Sequence, residues 1–285
     1  MKKFSLLIAV AFSAFAFRAE KKAFQIFTSD GKSTSFTDIL NAAKEADIVL
    51  FGELHDNPII HWLQLELTGD LHALKKDQLV LGAEMLEADD QLCLEEYLAG
   101  KISERTYKDE MKLWPNYGTD YKPLVDFAKT NKLSFIATNV PRRYANMVYS
   151  KGMESLDSLG AEAKKFIVPL PFRYDGSLKC YKDILESAAG HNGENLAKSQ
   201  ALKDATMAHF ILKNQTPGKL FLHYNGTYHS DNKQGIAWYL LLNNPKLKIV
   251  VITSSLQADC ETLDKNSLGK GDFIICTPEN MTRTH

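Results

Sequence analysis

Six short runs of the chain are continuously apolar: DIVLFG (47–52), QLVLGAEM (78–85), LSFIATN (133–139), KLFLHYNG (219–226), KIVVITSS (248–255) and DFIICT (272–277). None alternates apolar with polar side chains, as a strand with one wet face would. Strands that are apolar on both faces are covered on both faces, which is the condition of a parallel sheet between layers of helices. Helical patterns lie between the runs. Residues 58–76 place Ile59, Ile60, Leu63, Leu67, Leu71 and Leu74 at helical spacing behind Pro58, a residue suited to a first turn. Residues 196–213 carry Leu196, Ala201, Leu202, Ala205, Phe210 and Ile211 in the same way, and residues 235–243 form a shorter helix. This alternation predicts right-handed crossovers and an α/β fold, a mostly parallel sheet flanked by helices. The α/β core is expected over about 36–85, 131–145 and 196–277. The stretches 86–130 and 146–195 break the alternation and predict a smaller helical subdomain inserted between strands.

In open parallel sheets, ligands collect beyond the carboxyl ends of the strands. Here the first run ends in Glu53 and His55 and the second in Glu84. The third ends in Asn139 ahead of Pro141, Arg142 and Arg143, and the fourth in His223, Asn225 and, after a glycine, His229. Each has an ordinary reading by itself: Asn57-Pro58 is an N-cap and first turn, and an arginine pair can be a solvated face. The convergence of several from separate strands is what predicts a cleft. Gly52-x-x-His55 and Gly226-x-x-His229 share one spacing. With Glu84, the two histidines could ligate a metal or activate water. Tyr117, Tyr121, Tyr174, Tyr181 and His191 lie in the expected helical insertion, where amphipathic packing is the simpler account of the phenols.

A formal net charge of −1 offers no basic field for nucleic acid. Lys2 and Lys3 precede the apolar FSLLIAVAFSAFAF, and Ala14-Phe15-Ala16 fits a small-x-small cleavage pattern. Residues 1–16 are therefore expected to be a secretory signal, short for a bilayer span, with mature protein from about Phe17. No cysteine at this junction supports a lipid anchor. Cys93, Cys180, Cys260 and Cys276 fit neither a zinc ribbon nor a CxxC pair. The ordinary reading is buried thiols, and Cys260–Cys276 is the pair closest to bridging by chain proximity.

VLFGELHDNP (49–58), LGAEM (81–85), NVPRRY (139–144), KDATMAHFI (203–211) and NGTYHSDNKQGI (225–236) together resemble the ChaN haem-binding proteins of the Tiki superfamily. The resemblance spans roughly residues 35–255. It implies an exported protein, periplasmic or associated with the outer membrane, that works in haem and iron uptake, with an outer-membrane haem receptor as a partner. It also implies haem as the ligand, bound at a homodimer interface, with a tyrosine from one subunit on each iron and His and Lys from the other on the propionates. Tyr121 lies in a YxP segment and Tyr181 and His191 in a YK…GH segment, both similar to family blocks. Tyrosinate suits ferric iron, and cations suit propionates. The wider superfamily contains hydrolases, which implies a second reading: a metal-dependent hydrolase centred on His55, Glu84 and His229, with Glu53 as base. No serine stands in a GxSxG elbow, which argues against a serine esterase.

Overall fold

The structure, a computed structural model, describes residues 21–187 and 192–285. The expected signal segment and His191 lie outside the described residues. In chain order the elements are β1 (Gln25–Thr28), β2 (Ser33–Thr34), α1 (Phe36–Ala43), β3 (Ile48–Glu53), α2 (Pro58–Lys75), β4 (Leu79–Glu87), α3 (Gln91–Leu98), α4 (Glu104–Glu110), α5 (Lys122–Asn131), β5 (Phe135–Asn139), α6 (Arg142–Lys151), α7 (Ala161–Lys164), α8 (Lys179–Ser187), α9 (Gly193–Asn214), β6 (Leu220–Gly226), α10 (Ile236–Asn243), β7 (Ile249–Gln257) and β8 (Phe273–Pro278).

All six apolar runs are strands, and they lie side by side in one sheet ordered β2-β1-β8-β7-β3-β6-β4-β5. From β8 to β5 the pairing is parallel throughout. Only β1 and β2, which the apolar pattern did not reveal, are antiparallel. Every residue of β3 and β4 is buried, because each strand face meets its own helical layer. On β3, Val49 and Phe51 pack with Leu63, Leu67 and Leu71 of α2. Ile48 and Leu50 pack with Ile211 of α9 and Leu240 of α10. The central strands fit tightly: a Cβ on Gly82 of β4 would come within 2.7 Å of the Phe221 ring on β6.

The two irregular helical stretches do not form one subdomain. Helices α3–α5 join the α2 side of the sheet, where Leu94, Tyr107 and Val125 share a cluster with Phe51. Helices α6 and α8 pack on α9 across the sheet, around Val148, Leu156 and Leu202 and around Tyr181 and Ala197. Both stretches show amphipathic spacing, and that spacing fixes which side of a helix is buried but not which face of the sheet receives it.

The loop between β3 and α2 carries the cap read from the sequence. Asn57 Oδ1 accepts from the amides of Ile59 and Ile60 (3.1 and 3.2 Å), and its Nδ2 donates to Thr277 Oγ1 on β8 at 2.7 Å. That cap fixes where the chain turns after Glu53. The thiols of Cys260 and Cys276 face each other at 2.8 Å in a buried cluster with Phe27. No helix among the described residues is long and apolar enough to cross a membrane.

Candidate functional site

Glu53 ends β3 with 1% of its surface exposed. Its Oε1 accepts from His55 Nδ1 (2.9 Å) and from the Tyr121 hydroxyl (2.8 Å), and its Oε2 accepts from Gln64 Nε2 (2.7 Å). Burial opposes ionisation, but the hydrogen bond from His55 and the nearby His61 hold the carboxyl below its usual range. For His55 burial opposes protonation, and the contacts with Glu53 and Glu84 outweigh it, so its pKa is raised. The ring meets Trp114 edge-on at 4.9 Å. A Cβ on Gly226 would stand 2.9 Å from His55 Nε2, so the glycine at the end of β6 is what lets this imidazole lie against the strand. The carbonyl of His55 accepts from Asn116 Nδ2 (2.7 Å), and Asn116 also donates to Asp120 Oδ2 (2.6 Å).

A second buried network stands beside the first. Glu84 of β4 accepts from the Gly226 amide at 2.7 Å, and its other oxygen lies 3.2 Å from His229 Nε2. His229 Nδ1 is 2.5 Å from Asp204 Oδ1 on α9, and Asp204 Oδ2 accepts from the Tyr181 hydroxyl at 2.7 Å. Burial opposes a charge on His229, but Glu84 and Asp204 push its pKa up to about 10. Burial works against the Glu84 carboxylate too, and the charged His229 holds its pKa well below the usual range. Both ring nitrogens of His229 face carboxylates, which favour the protonated ring. Among the described residues, no three His, Cys, Asp or Glu side chains are placed to hold a metal ion. His55, Glu84 and His229 are thus brought together, with His55 hydrogen-bonded to Glu53 and His229 set between Glu84 and Asp204.

Between and above these networks lies a cleft of about 610 Å³. Glu53, His55, Glu84, Asn139 and His229 line it from the strand ends, joined by Trp114, Val140, Arg142, Lys203 and Tyr228. The acids of the two networks are each paired. Arg142 is 69% exposed at its side chain and lies 4.0 Å from Glu87, while Lys203 has no ion pair among the described residues. Asp56 and Glu87 line the cleft as well, ion-paired to Arg283 and to Lys112, so among the described residues Lys203 is a lining cation left unpaired for a ligand. Asn139 Oδ1 and Gln200 Oε1 are buried acceptors without a partner at its edge.

Of the residues expected from the sequence, Glu53, His55, Glu84 and His229 converge as the strand-end rule requires. Arg143 turns away to Asp89 (2.5 Å). Tyr121 is 4% exposed and Tyr181 fully buried, each donating to a buried carboxylate, and neither appears on the cleft wall. Tyr117 is buried too, and Tyr174 lies 5.6 Å from the Tyr181 ring. Residues that the strand-end reading passed over are Gln64, Trp114, Asn116, Asp120, Gln200, Lys203 and Asp204. Three of these were accessible: Gln200, Lys203 and Asp204 share one face of α9 by the i, i+3, i+4 rule, and two of them begin the KDATMAHFI segment.

No curated protein matches the chain. A solved structure described as cofacial heme binding to ChaN of Campylobacter jejuni is similar at 20% identity and a TM-score of 0.67, covering 88% of this chain and 96% of that one. The type III effector HopBA1 is similar at 12% identity and a TM-score of 0.52, over 86% of this chain and 94% of that one. A succinoglycan biosynthesis protein is similar at 12% identity and a TM-score of 0.51, over 90% and 94%. At these identities the likenesses speak for the fold. The sequence itself matches a family described as haem-binding uptake, Tiki superfamily, ChaN, over residues 39–240, a span holding both carboxylate–imidazole networks. With more than half of its length so matched, the chain belongs to that ChaN family of the Tiki superfamily.

Proposed function

We propose that this protein binds haem as cargo in iron or haem uptake and takes it at the strand-end cleft. The observation that carries this reading is the Lys203 ammonium, without an ion pair among the described residues, in a cleft with an apolar and aromatic wall. Haem is a flat apolar ring with two carboxylates. Lys203 and Arg142 suit the propionates, and Trp114, Val140 and Tyr228 suit the ring. For the iron, the donor on the cleft wall is the His55 imidazole; the Tyr228 hydroxyl already donates to the Cys180 carbonyl, and burial raises its pKa. Tyr121 and Tyr181 fit that task poorly. Burial comes first among the causes that raise their pKa values, followed by Glu53 for Tyr121 and Asp204 for Tyr181, and a tyrosinate must shed the proton that each shares with a carboxylate.

We propose further that two copies pair face to face over their ligands. The words cofacial heme binding, used of the Campylobacter jejuni ChaN, support this. Export to the periplasm or outer membrane, and delivery from an outer-membrane haem receptor, complete the proposal and rest on the signal-like residues 1–16. Haemin titration followed by absorbance, with sedimentation at each ratio, tests the central claim. Saturable binding and a shift from monomer toward dimer are expected, and Lys203→Ala and Arg142→Ala should each weaken the affinity. Haemin absorbance indistinguishable from that in buffer would defeat the proposal.

One observation favours a second reading, a hydrolase. Glu53 fixes His55 through Nδ1, while Nε2 has no hydrogen-bond partner among the described residues, the arrangement of an oriented general base. An ester and peptide library assayed with and without zinc separates the readings: turnover lost in His55→Ala would favour the enzyme.

A further inference from the structure

After β8 the chain returns to the cleft. Arg283 Nη1 lies 2.9 and 2.7 Å from the two Asp56 oxygens. The Thr284 amide donates to the Asp56 carbonyl at 3.1 Å, and its hydroxyl donates to Asp120 Oδ2 at 2.7 Å. Asp120 is 3% exposed and is the same carboxylate that accepts from Asn116, whose amide also holds the His55 carbonyl. Residues 283 and 284 thus hold Asp56, next to His55, and Asp120, which reaches the His55 carbonyl through Asn116. The next residue, His285, lines the cleft together with Lys203 and Arg142. This segment lies outside the part of the chain that the family match covers.

We infer that His285 is an outer-wall residue of the cleft and a binding residue for a carboxylate-bearing ligand, with Arg283 and Thr284 as its positioning residues. An imidazole N–H in the same cleft lining as an ammonium and a guanidinium adds a third donor for an anion, where the Asp56 and Glu87 carboxylates are already ion-paired to Arg283 and Lys112. Two anchors on buried or ion-paired acids hold it there before a ligand arrives, so little ordering is left for binding. The ligand class rests on the haem reading, and the experiment separates the two.

The probes are protoporphyrin IX, which keeps both propionates without iron, and its dimethyl ester, which has no free carboxylate. His285→Ala should weaken protoporphyrin IX binding about 5- to 10-fold, the scale of one hydrogen bond to a charged group. His285→Gln should restore part of it, because a donor returns. Arg283→Ala should weaken it through misplacement of His285, and ester binding should be the same in all four proteins. In parallel, carbethoxylation of His55 by diethylpyrocarbonate, read by peptide mass, should accelerate severalfold in an Arg283→Ala/Thr284→Val variant. Unchanged protoporphyrin affinity in His285→Ala overturns the binding role while the haem reading stands. If the native protein binds neither porphyrin, the haem reading fails, and the wall is then judged by His55 alone: an unaltered modification rate overturns it.

Discussion

His229 is held between Glu84 and Asp204 with its side chain 7% exposed. Its pKa is raised from 6.5 to about 10, with burial opposing the charge and the two carboxylates supplying it. Stability from this pairing is therefore complete below pH 6.5 and is lost as pH rises through about 10. Replacing His229 by Gln leaves two buried acids without a cation and should cost about 3–5 kcal/mol near pH 6. Urea unfolding at pH 6, 8 and 10 checks the sign, since the gap between variant and native should narrow as pH rises. The tyrosines make a different case. Tyr121→Phe and Tyr181→Phe remove a donor from a buried carboxylate, so each should cost about 1–3 kcal/mol. Haemin spectra should stay as in the native protein in both, and loss of a charge-transfer band in either would return that phenol to the iron. Sequence could suggest these two tyrosines as ligands but could not show them as core donors, because their acceptors lie 68 and 23 residues away.

At the scale of elements, the six parallel strands were legible because each is covered on both faces, and a continuous apolar run is the direct imprint of that covering. β1 and β2 left no such imprint: one has four residues and the other two, and they pair antiparallel at the margin. The same margin exists at β5, and there a side chain closes it. Gln91 Oε1 accepts from the Ala137 amide at 2.7 Å and its Nε2 donates to the Phe135 carbonyl at 3.2 Å, as a neighbouring strand's peptide would. Gln91→Ala should cost about 1 kcal/mol and speed hydrogen exchange at the Ala137 amide, while the amides of β3 keep their protection. The strand-end glycine gives a second expectation. Gly226→Ala places a methyl against the His55 ring and should displace that ring from the cleft. Haemin affinity should fall with little change in unfolding midpoint, and an unchanged affinity would show that His55 takes no part. The carboxylate and imidazole ends of the strands were readable in advance because topology alone sends them to one side. The contribution of α9 was less so, since a lysine and an aspartate in a long helix look like any solvated face until the opposing strand ends are in place.

Across the whole molecule, the proposed pairing of copies would link ligand to assembly. If two protomers close over stacked haems, dissociation should require loss of haem, and apo protein at the same concentration should sediment as monomer. A dimer that persists after haem removal would separate assembly from ligand. The sheet order has another consequence. β3 is bordered by β6 and β7, yet Leu50 pairs with His223 and Val251, more than 170 residues further along the chain. β4 in turn meets β6 through Leu81 and Leu222. Both places flanking β3 are therefore empty until the last third of the polypeptide arrives, and closing such long loops is entropically costly before any contact repays it. Folding should be slow, with single-strand intermediates weakly protected, and a fragment lacking everything after Pro217 should show no cooperative unfolding. If residues 1–16 direct export, as proposed above, this ordering is an advantage in itself. A polypeptide still lacking its central strand has no stable native structure to resist translocation, and both halves of the cleft come into being in a single late step.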